Sequence, residues 1–379
     1  MTLLEDEVKR IIRQRGPIPF RDFMELALYH PREGYYTRLS DIGPGGDYYT
    51  SANIHPLFGE LLAEKFVRLF RTMTEADPPA RQAQADRLTL VEIGAGTGQL
   101  AEDILRALQA HHPSLFERMS YWIIEVSPRL TSLQQARLRP LGCVAWAHWE
   151  DFAPGSLTAI VFSHEVLDAF PVHRVMNRGG RLMEMYVALE GDELGWALGE
   201  LTDARLAEYL RQVDVHLDDG QIADIPLDII PWLRSVSRVL ARGFLVTIDY
   251  GDTAPPLYAP HRREGTLRCF FRHTLVSDPL IRIGDQDITA SVDFTLLMET
   301  GRRFGLEPVE FTSLRQCLLD LGLLDRVERL MHGGDATLKD RLALKHFLLP
   351  GAFGENFKVL VQRRDGQTCP DSDGDATRF

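Results

Sequence analysis

The chain of 379 residues predicts an α/β fold with a mostly parallel, Rossmann-like sheet, an N-terminal helical extension and insertions. Three observations carry this reading. From residue 88 onward, short apolar runs alternate with helix-period stretches, the pattern of parallel strands joined by helical crossovers. The run Leu90-Val91-Glu92-Ile93 passes directly into Gly94-Ala95-Gly96-Thr97-Gly98, a tight turn ahead of a helix start. Helix signals dominate the residues before that first strand.

The elements follow in order. Leu3, Leu4, Val8, Ile11 and Ile12 share a helix face, and Pro17 and Pro19 end that helix. Phe20 to Tyr29 is a second helix, and a glycine-rich loop follows at 43–47. Leu57, Leu61, Leu62, Phe66 and Leu69 mark a longer helix over 56–73, and 74–87 is a linker. Strands are expected at 88–93, 121–126, 158–163, 243–249, 306–311 and 356–363. An antiparallel ribbon over 172–200 and an irregular stretch over 252–290 interrupt the alternation. Short helices fill 312–348. The expected division is an extension or lid over 1–87, a core over 88–363 with insertions at 172–225 and 252–290, and a disordered tail over 364–379.

The net charge of −12 argues against a nucleic-acid binder, which needs a basic face. No apolar run approaches the roughly 20 residues that span a bilayer, and the charged N-terminus lacks a signal-peptide pattern. These point to a cytoplasmic protein without membrane partners. Cys143, Cys269, Cys317 and Cys369 stand too far apart for a metal motif, so no metal is expected.

The glycine turn carries the chemistry. A dinucleotide loop requires G-x-G-x-x-G, whereas here the pattern is E-x-G-x-G-x-G. Glu92 would repel a pyrophosphate and attract an ammonium group, while the helix start favours an anion. The methionine end of S-adenosylmethionine (SAM) offers both. Gly94, Gly96 and Gly98 with Glu92 are therefore candidate cofactor residues. Glu125, ending the second strand, is suited to two ribose hydroxyls, and Val126 after it and Ser163 at the end of a later strand are further candidate cofactor residues. Trp149, Glu150 and Asp151 are candidates to flank the adenine. Ser163 ends the next strand and leads to His164, Glu165 and Asp168, the candidate catalytic residues. Glu165 and Asp168 on one helical face could grip a guanidinium, and His164 could serve as a base.

Several segments together resemble the MidA-like SAM-dependent methyltransferases. They are Gly34-Tyr35-Tyr36-Thr37, Gly46-Asp47-Tyr48-Tyr49-Thr50-Ser51, Phe58-Gly59-Glu60-Leu61, the glycine loop, Glu125-Val126-Ser127-Pro128, residues 165–172, Ile248-Asp249-Tyr250-Gly251 and residues 287–294. The resemblance implies a class I SAM-methyltransferase fold whose helical extension closes over the cofactor. It also implies methylation of a protein arginine, as in the family's mitochondrial branch. The chain departs from the family pattern at Asn53, His164 and Ser291, all expected on the acceptor side. Two alternatives therefore stand beside the arginine reading. One is a small-molecule O- or N-methyltransferase with His164 as base; the other is a non-catalytic SAM-binding assembly factor. The methyl acceptor is a protein or a small molecule. The oligomeric state is open, with a homodimer one reading.

Overall fold

The computed structural model describes residues 2–38, 55–75, 87–272, 274–332 and 353–366. The strands of its main sheet are β1 (Thr89–Ile93), β2 (Ser120–Ile124), β3 (Val144–Ala147), β4 (Leu157–His164), β5 (Leu240–Asp252), β6 (Glu307–Ser313) and β7 (Phe357–Asp365). Their order is β6-β7-β5-β4-β1-β2-β3, with the short strand Val292–Asp293 also paired to β5. The pairs β5–β4, β4–β1, β1–β2 and β2–β3 are parallel. β7 runs antiparallel to both β5 and β6. The chain winds outward in opposite directions from β1 and β4. Their carboxyl ends therefore border a crevice, the usual place for a ligand in open α/β sheets.

Both faces of the sheet are covered, so its central strands are apolar throughout rather than alternating. The principal helices are α1 (Leu3–Arg15), α2 (Phe20–Tyr29), α3 (Pro56–Glu75), α4 (Gln99–His111), α5 (Pro128–Leu138), α6 (Ile229–Val239), α7 (Phe294–Arg303), α8 (Leu314–Asp320) and α9 (Leu323–His332). On one face, Phe58, Leu61 and Phe66 of α3 and Ile104 and Leu108 of α4 pack with Leu90, Tyr121 and Phe162. On the other, Leu233 and Val236 of α6 and Leu297 of α7 pack with Val91 and Val161. Gly59 brings α3 close to α4, since a Cβ there would lie 2.5 Å from Asp103 Cβ.

The crossover from β4 to β5 contains a second, antiparallel sheet. Its strands are Ile18–Pro19, Arg181–Glu190, His173–Arg178 and Ile222–Ile225, with Glu193–Gly199 beside Arg181–Glu190. A third sheet joins Arg268–Phe271, Thr274–Val276 and Asp287–Thr289. Helices α1 and α2 dock on these insertions: Leu4, Val8, Phe20 and Phe23 share a core with Val187, Cys269 and Ile288. Helix α3 instead belongs to the core of the main sheet.

Some elements differ from the sequence reading. β3 is a short strand that the apolar-run pattern missed. β5 extends past both expected ends, because β4 and β7 pair along its length. Arg364, expected to open a disordered tail, is a buried residue of β7 and donates to the Phe304 carbonyl. The glycine-rich loop at 43–47, Asn53, Cys369, most of the 74–87 linker and the expected helices beyond 332 lie outside the described residues. Among the described residues, no helix is long and apolar enough to cross a membrane, and no cluster of metal-binding side chains occurs.

Candidate active site

The glycine turn sits at the carboxyl end of β1, in the crevice. Gly94, Gly96 and Gly98 all have left-handed φ values, +65°, +54° and +77°. The Gly94 amide donates to the Ile124 carbonyl at 2.9 Å, fixing the turn against β2. The three glycines serve different ends. A Cβ on Gly94 would meet Val166 at 2.9 Å and one on Gly98 would meet Leu138 at 3.3 Å, whereas one on Gly96 would meet nothing within 4 Å. Gly96 is therefore the open position of the turn, where a ligand can approach bare backbone. Gly98 caps α4 without a side chain, leaving the first-turn N–H groups to an anion.

Glu92 lies beneath this turn. Its buried carboxyl accepts from Tyr121 Oη at 2.7 Å. Burial pushes its pKa up to about 8, against the opposing pull of that bond. At neutral pH it is mostly protonated, so the expected anion for an ammonium group is not present in the free protein. Glu125 at the end of β2 accepts from the Ser127 amide at 3.0 Å and from Gln134 Nε2 at 2.9 Å. A carboxylate has about four lone-pair positions, so these bonds leave it capacity toward a ribose hydroxyl. Gln134, on α5, also donates to the Gly96 carbonyl and accepts from Trp146 Nε1, both at 2.9 Å. It thereby couples the glycine turn to Glu125, a role that its mid-helix position in the sequence did not signal. Val126 is 75 % exposed beside them. Trp149 is half-buried against the α6 side of the core, and Glu150 and Asp151 are exposed. Asp151 accepts from the His148 amide at 2.8 Å and so fixes the short 149–151 turn.

The end of β4 carries the expected catalytic residues. Ser163 is fully buried and its Oγ has no hydrogen-bond partner. His164 is buried, with ring centroids of Phe58 and Phe357 at 5.2 and 6.3 Å and Glu165 Oε1 3.4 Å from its Nε2. Burial lowers its pKa to about 3. Burial and the aromatic enclosure weaken His164 as a base, which argues against the role expected of it. Glu165 has a left-handed φ of +52° and precedes the 3₁₀ turn Leu167–Ala169 that holds Asp168. The two acids therefore do not share a helical face. Asp249, on β5, holds this turn instead. Its Oδ2 accepts from the amides of Val166, Leu167 and Asp168 at 3.1, 3.0 and 3.4 Å.

Asp168 is one of several acids here. Asp168 and Asp287 are each 2 % exposed, and Asp249 is fully buried. The Ala290 amide donates to the Asp168 carbonyl at 2.8 Å, joining the two segments. Tyr36 Oη donates to Asp287 Oδ1, and Tyr29 Oη donates to the Ala169 carbonyl, both at 2.9 Å. Burial raises the pKa of Asp168 to about 6, with the neighbouring Tyr250 hydroxyl opposing the shift. Burial and then repulsion from Asp168 raise Asp287 to about 7. Asp249 is held well above its ordinary value, first by burial and then by Asp168 and Glu165. Among the described residues, no arginine, lysine or histidine pairs with Asp168, Asp249 or Asp287. Asp168 Oδ1, Tyr250 Oη and Thr289 Oγ1 are buried without a hydrogen bond of good geometry. The arrangement can take a cation that donates several hydrogen bonds.

The model of the family described as "Putative S-adenosyl-L-methionine-dependent methyltransferase" matches residues 61–312. The chain belongs to this family. It is a SAM-dependent methyltransferase of the MidA-like group. A COG1565 superfamily structure from Burkholderia thailandensis, bound to S-adenosyl-homocysteine, superposes with a TM-score of 0.83 at 29 % identity, covering 96 % of this chain and 92 % of that one. Two curated relatives are each named "Protein arginine methyltransferase NDUFAF7, mitochondrial". The Mus musculus protein is 29 % identical over 92 % of this chain and 82 % of its own. The Homo sapiens protein is 27 % identical over 92 % and 81 %. The mitochondrial names of these relatives overturn the cytoplasmic expectation, which rested on the lack of a targeting pattern.

In this methyltransferase Gly96 leaves open space on the turn and α4 starts without a side-chain cap. Tyr36, Asp249, Tyr250 and Asp287 received no role from the sequence. Their signal was present in the segments Gly34–Thr37, Ile248–Gly251 and 287–294, which the fold brings to the end of β4. Ser291, a departure from the family pattern, is buried, and its amide donates to Thr266 Oγ1 at 3.2 Å.

Proposed function

We propose that this methyltransferase modifies the guanidinium of a protein arginine, with Asp168, Asp287 and Glu165 on the acceptor side and Gly94, Gly96, Gly98 and Glu125 on the cofactor side. One observation carries the proposal: the buried carboxyl groups of Asp168, Asp249 and Asp287 gathered near the end of β4 with no basic partner among the described residues. An uncompensated group of acids is costly to bury, and an incoming guanidinium relieves that cost through bidentate hydrogen bonds. The names of the curated relatives support the same substrate class. Bound SAM supplies a methyl carbon activated by its sulfonium: an N–C bond forms as the S–C bond breaks, and one proton leaves the nitrogen. Asp168, raised to about 6, is suited to take that proton and release it to water near neutral pH. Asp249 positions Asp168 by holding its turn. The burial of His164, which lowers its basicity, weighs against the small-molecule reading.

The test is incubation of the protein with radiolabelled SAM and a cell lysate, followed by separation of protein from small molecules and hydrolysis of the protein fraction. Label is expected in methylated arginine. Label confined to small molecules would overturn the proposal. Asp168→Asn is expected to abolish transfer while SAM still binds in calorimetry.

A further inference from the structure

We infer that the hairpin of Arg268–Phe271 and Thr274–Val276 is a docking arm for an acidic segment of the methyl-acceptor protein. The inference rests on the arginine reading for where the acceptor lies, and it adds what surrounds the arginine.

The hairpin stands one strand from the acid group. Its strand Arg268–Phe271 pairs with Asp287–Thr289, setting Phe270 opposite Asp287 and Arg268 opposite Thr289. The Arg268 guanidinium lies 5.8 Å from the ring centroid of Tyr250, the tyrosine neighbouring Asp168. Farther out, the guanidinium groups of Arg272 and Arg282 lie 5.2 and 4.8 Å from the Phe271 ring. All three arginines are exposed, and none of their guanidinium groups has an ion-pair or hydrogen-bond partner among the described residues. Elsewhere on this acidic chain, Arg13, Arg106 and Arg181 each hold a carboxylate. Arg272 and Arg282 also have left-handed φ values of +47° and +51°, a conformation that disfavours residues with long side chains. Leu275 and Ile281, 63 % and 42 % exposed, add apolar surface beside them.

A guanidinium stacked on an aromatic ring is already oriented and loses little freedom when it takes a carboxylate. Buried acids and exposed unpaired arginines thus adjoin, joined by one strand and by the Arg268–Tyr250 contact. A segment with its arginine among the acids and glutamates or aspartates a few residues away complements both. Basic and apolar groups together also suit an anionic lipid surface. The shared strand places the hairpin beside the acceptor site, which favours a peptide.

The experiment uses the full chain saturated with S-adenosyl-homocysteine and fluorescent synthetic peptides carrying one arginine flanked by glutamates or by glutamines. The glutamate peptide is expected to bind about ten-fold tighter, an advantage that shrinks as salt is added. In the double variant Arg272→Asn, Arg282→Asn, whose asparagines tolerate left-handed backbone, the advantage disappears while thermal melting is retained. Equal binding of the two peptides by the unaltered protein overturns the inference, as does a glutamate preference that survives in the double variant. Phosphatidylserine vesicles that bind the unaltered protein but not the variant, with no glutamate preference, overturn it in favour of a membrane surface. Peptides with leucine for arginine separate the two readings. If only the arginine assignment fails, the glutamate preference persists with leucine and, when labelled SAM replaces S-adenosyl-homocysteine, no methyl enters any peptide. If only the docking arm fails, both arginine peptides are methylated equally well.

Discussion

Gly96 has an unusual combination of properties: a left-handed φ, and open space where a side chain would project. Gly96→Val puts a branched side chain into that space and strains the turn by roughly 1–2 kcal/mol. SAM binding by calorimetry is expected to fall by at least about ten-fold, the cost of displacing a ligand from one contact surface. Full affinity in a folded variant would show that the cofactor approaches elsewhere. Glu92 makes a different prediction. Its carboxyl has a pKa of about 8 in the folded protein against an ordinary 4.5. The folded state therefore holds a proton that the unfolded chain has released between those values, and stability falls as pH rises through that window. Glu92→Gln, a neutral mimic, is expected to gain in melting temperature relative to the unaltered protein between about pH 5 and about pH 9. A constant difference across that range would contradict the assignment. These two residues mark what a sequence can disclose at this scale. Glycine spacing is local and was legible. The Tyr121 bond to Glu92, the coupling through Gln134 and the enclosure of His164 arise from distant segments and were not.

The 3₁₀ turn after β4 is fixed by one side chain on the neighbouring strand. Asp249 accepts three successive amides there, so Asp249→Ala leaves Val166, Leu167 and Asp168 without their acceptor. Each buried donor left unsatisfied costs about 1–3 kcal/mol. The expected outcome is lost methyl transfer, a lower melting temperature and SAM affinity within a few-fold of the unaltered protein, since Gly96 and the start of α4 make no contact with Asp249. Asp249→Asn, which keeps an acceptor oxygen, should restore part of the melting temperature. Unchanged transfer in the alanine variant would remove Asp249 from the positioning role. Elements of this kind divide by how local their cause is. The strands at 89–93, 120–124 and 157–164 follow from apolar runs bounded by turn residues, and so were visible. The short β3, the full length of β5 and the docking of α1 and α2 on the insertions depend on partners far along the chain. Only the assembled sheet reveals them.

At the scale of the whole molecule, charge is separated. Among the described residues, Asp168, Asp249 and Asp287 are buried near the end of β4 without cationic partners, and the guanidinium groups of Arg268, Arg272 and Arg282 stand unpaired on and beside the adjoining hairpin. In the free protein Asp168 and Asp287 are raised to about 6 and about 7, above the ordinary carboxyl range, because burial favours their neutral forms and, for Asp287, repulsion from Asp168 adds to it. A guanidinium remains positive throughout this range, so its binding favours the ionised carboxyls and releases protons. The sign follows from linkage: KM for an arginine peptide should fall as pH rises from about 5 to about 8 and then level off. The stability contribution of the same acids has the opposite direction, because each raised carboxyl costs the free fold more as it ionises. Asp287→Asn separates these effects. It should flatten the upper part of the KM profile, where Asp287 titrates, weaken peptide binding above neutrality, and raise the melting temperature of the free protein more at about pH 8 than at about pH 5. A KM that stays constant with pH in the unaltered protein would mean that the acceptor does not bring its positive charge to these carboxyls, and the arginine assignment would then lose its electrostatic basis.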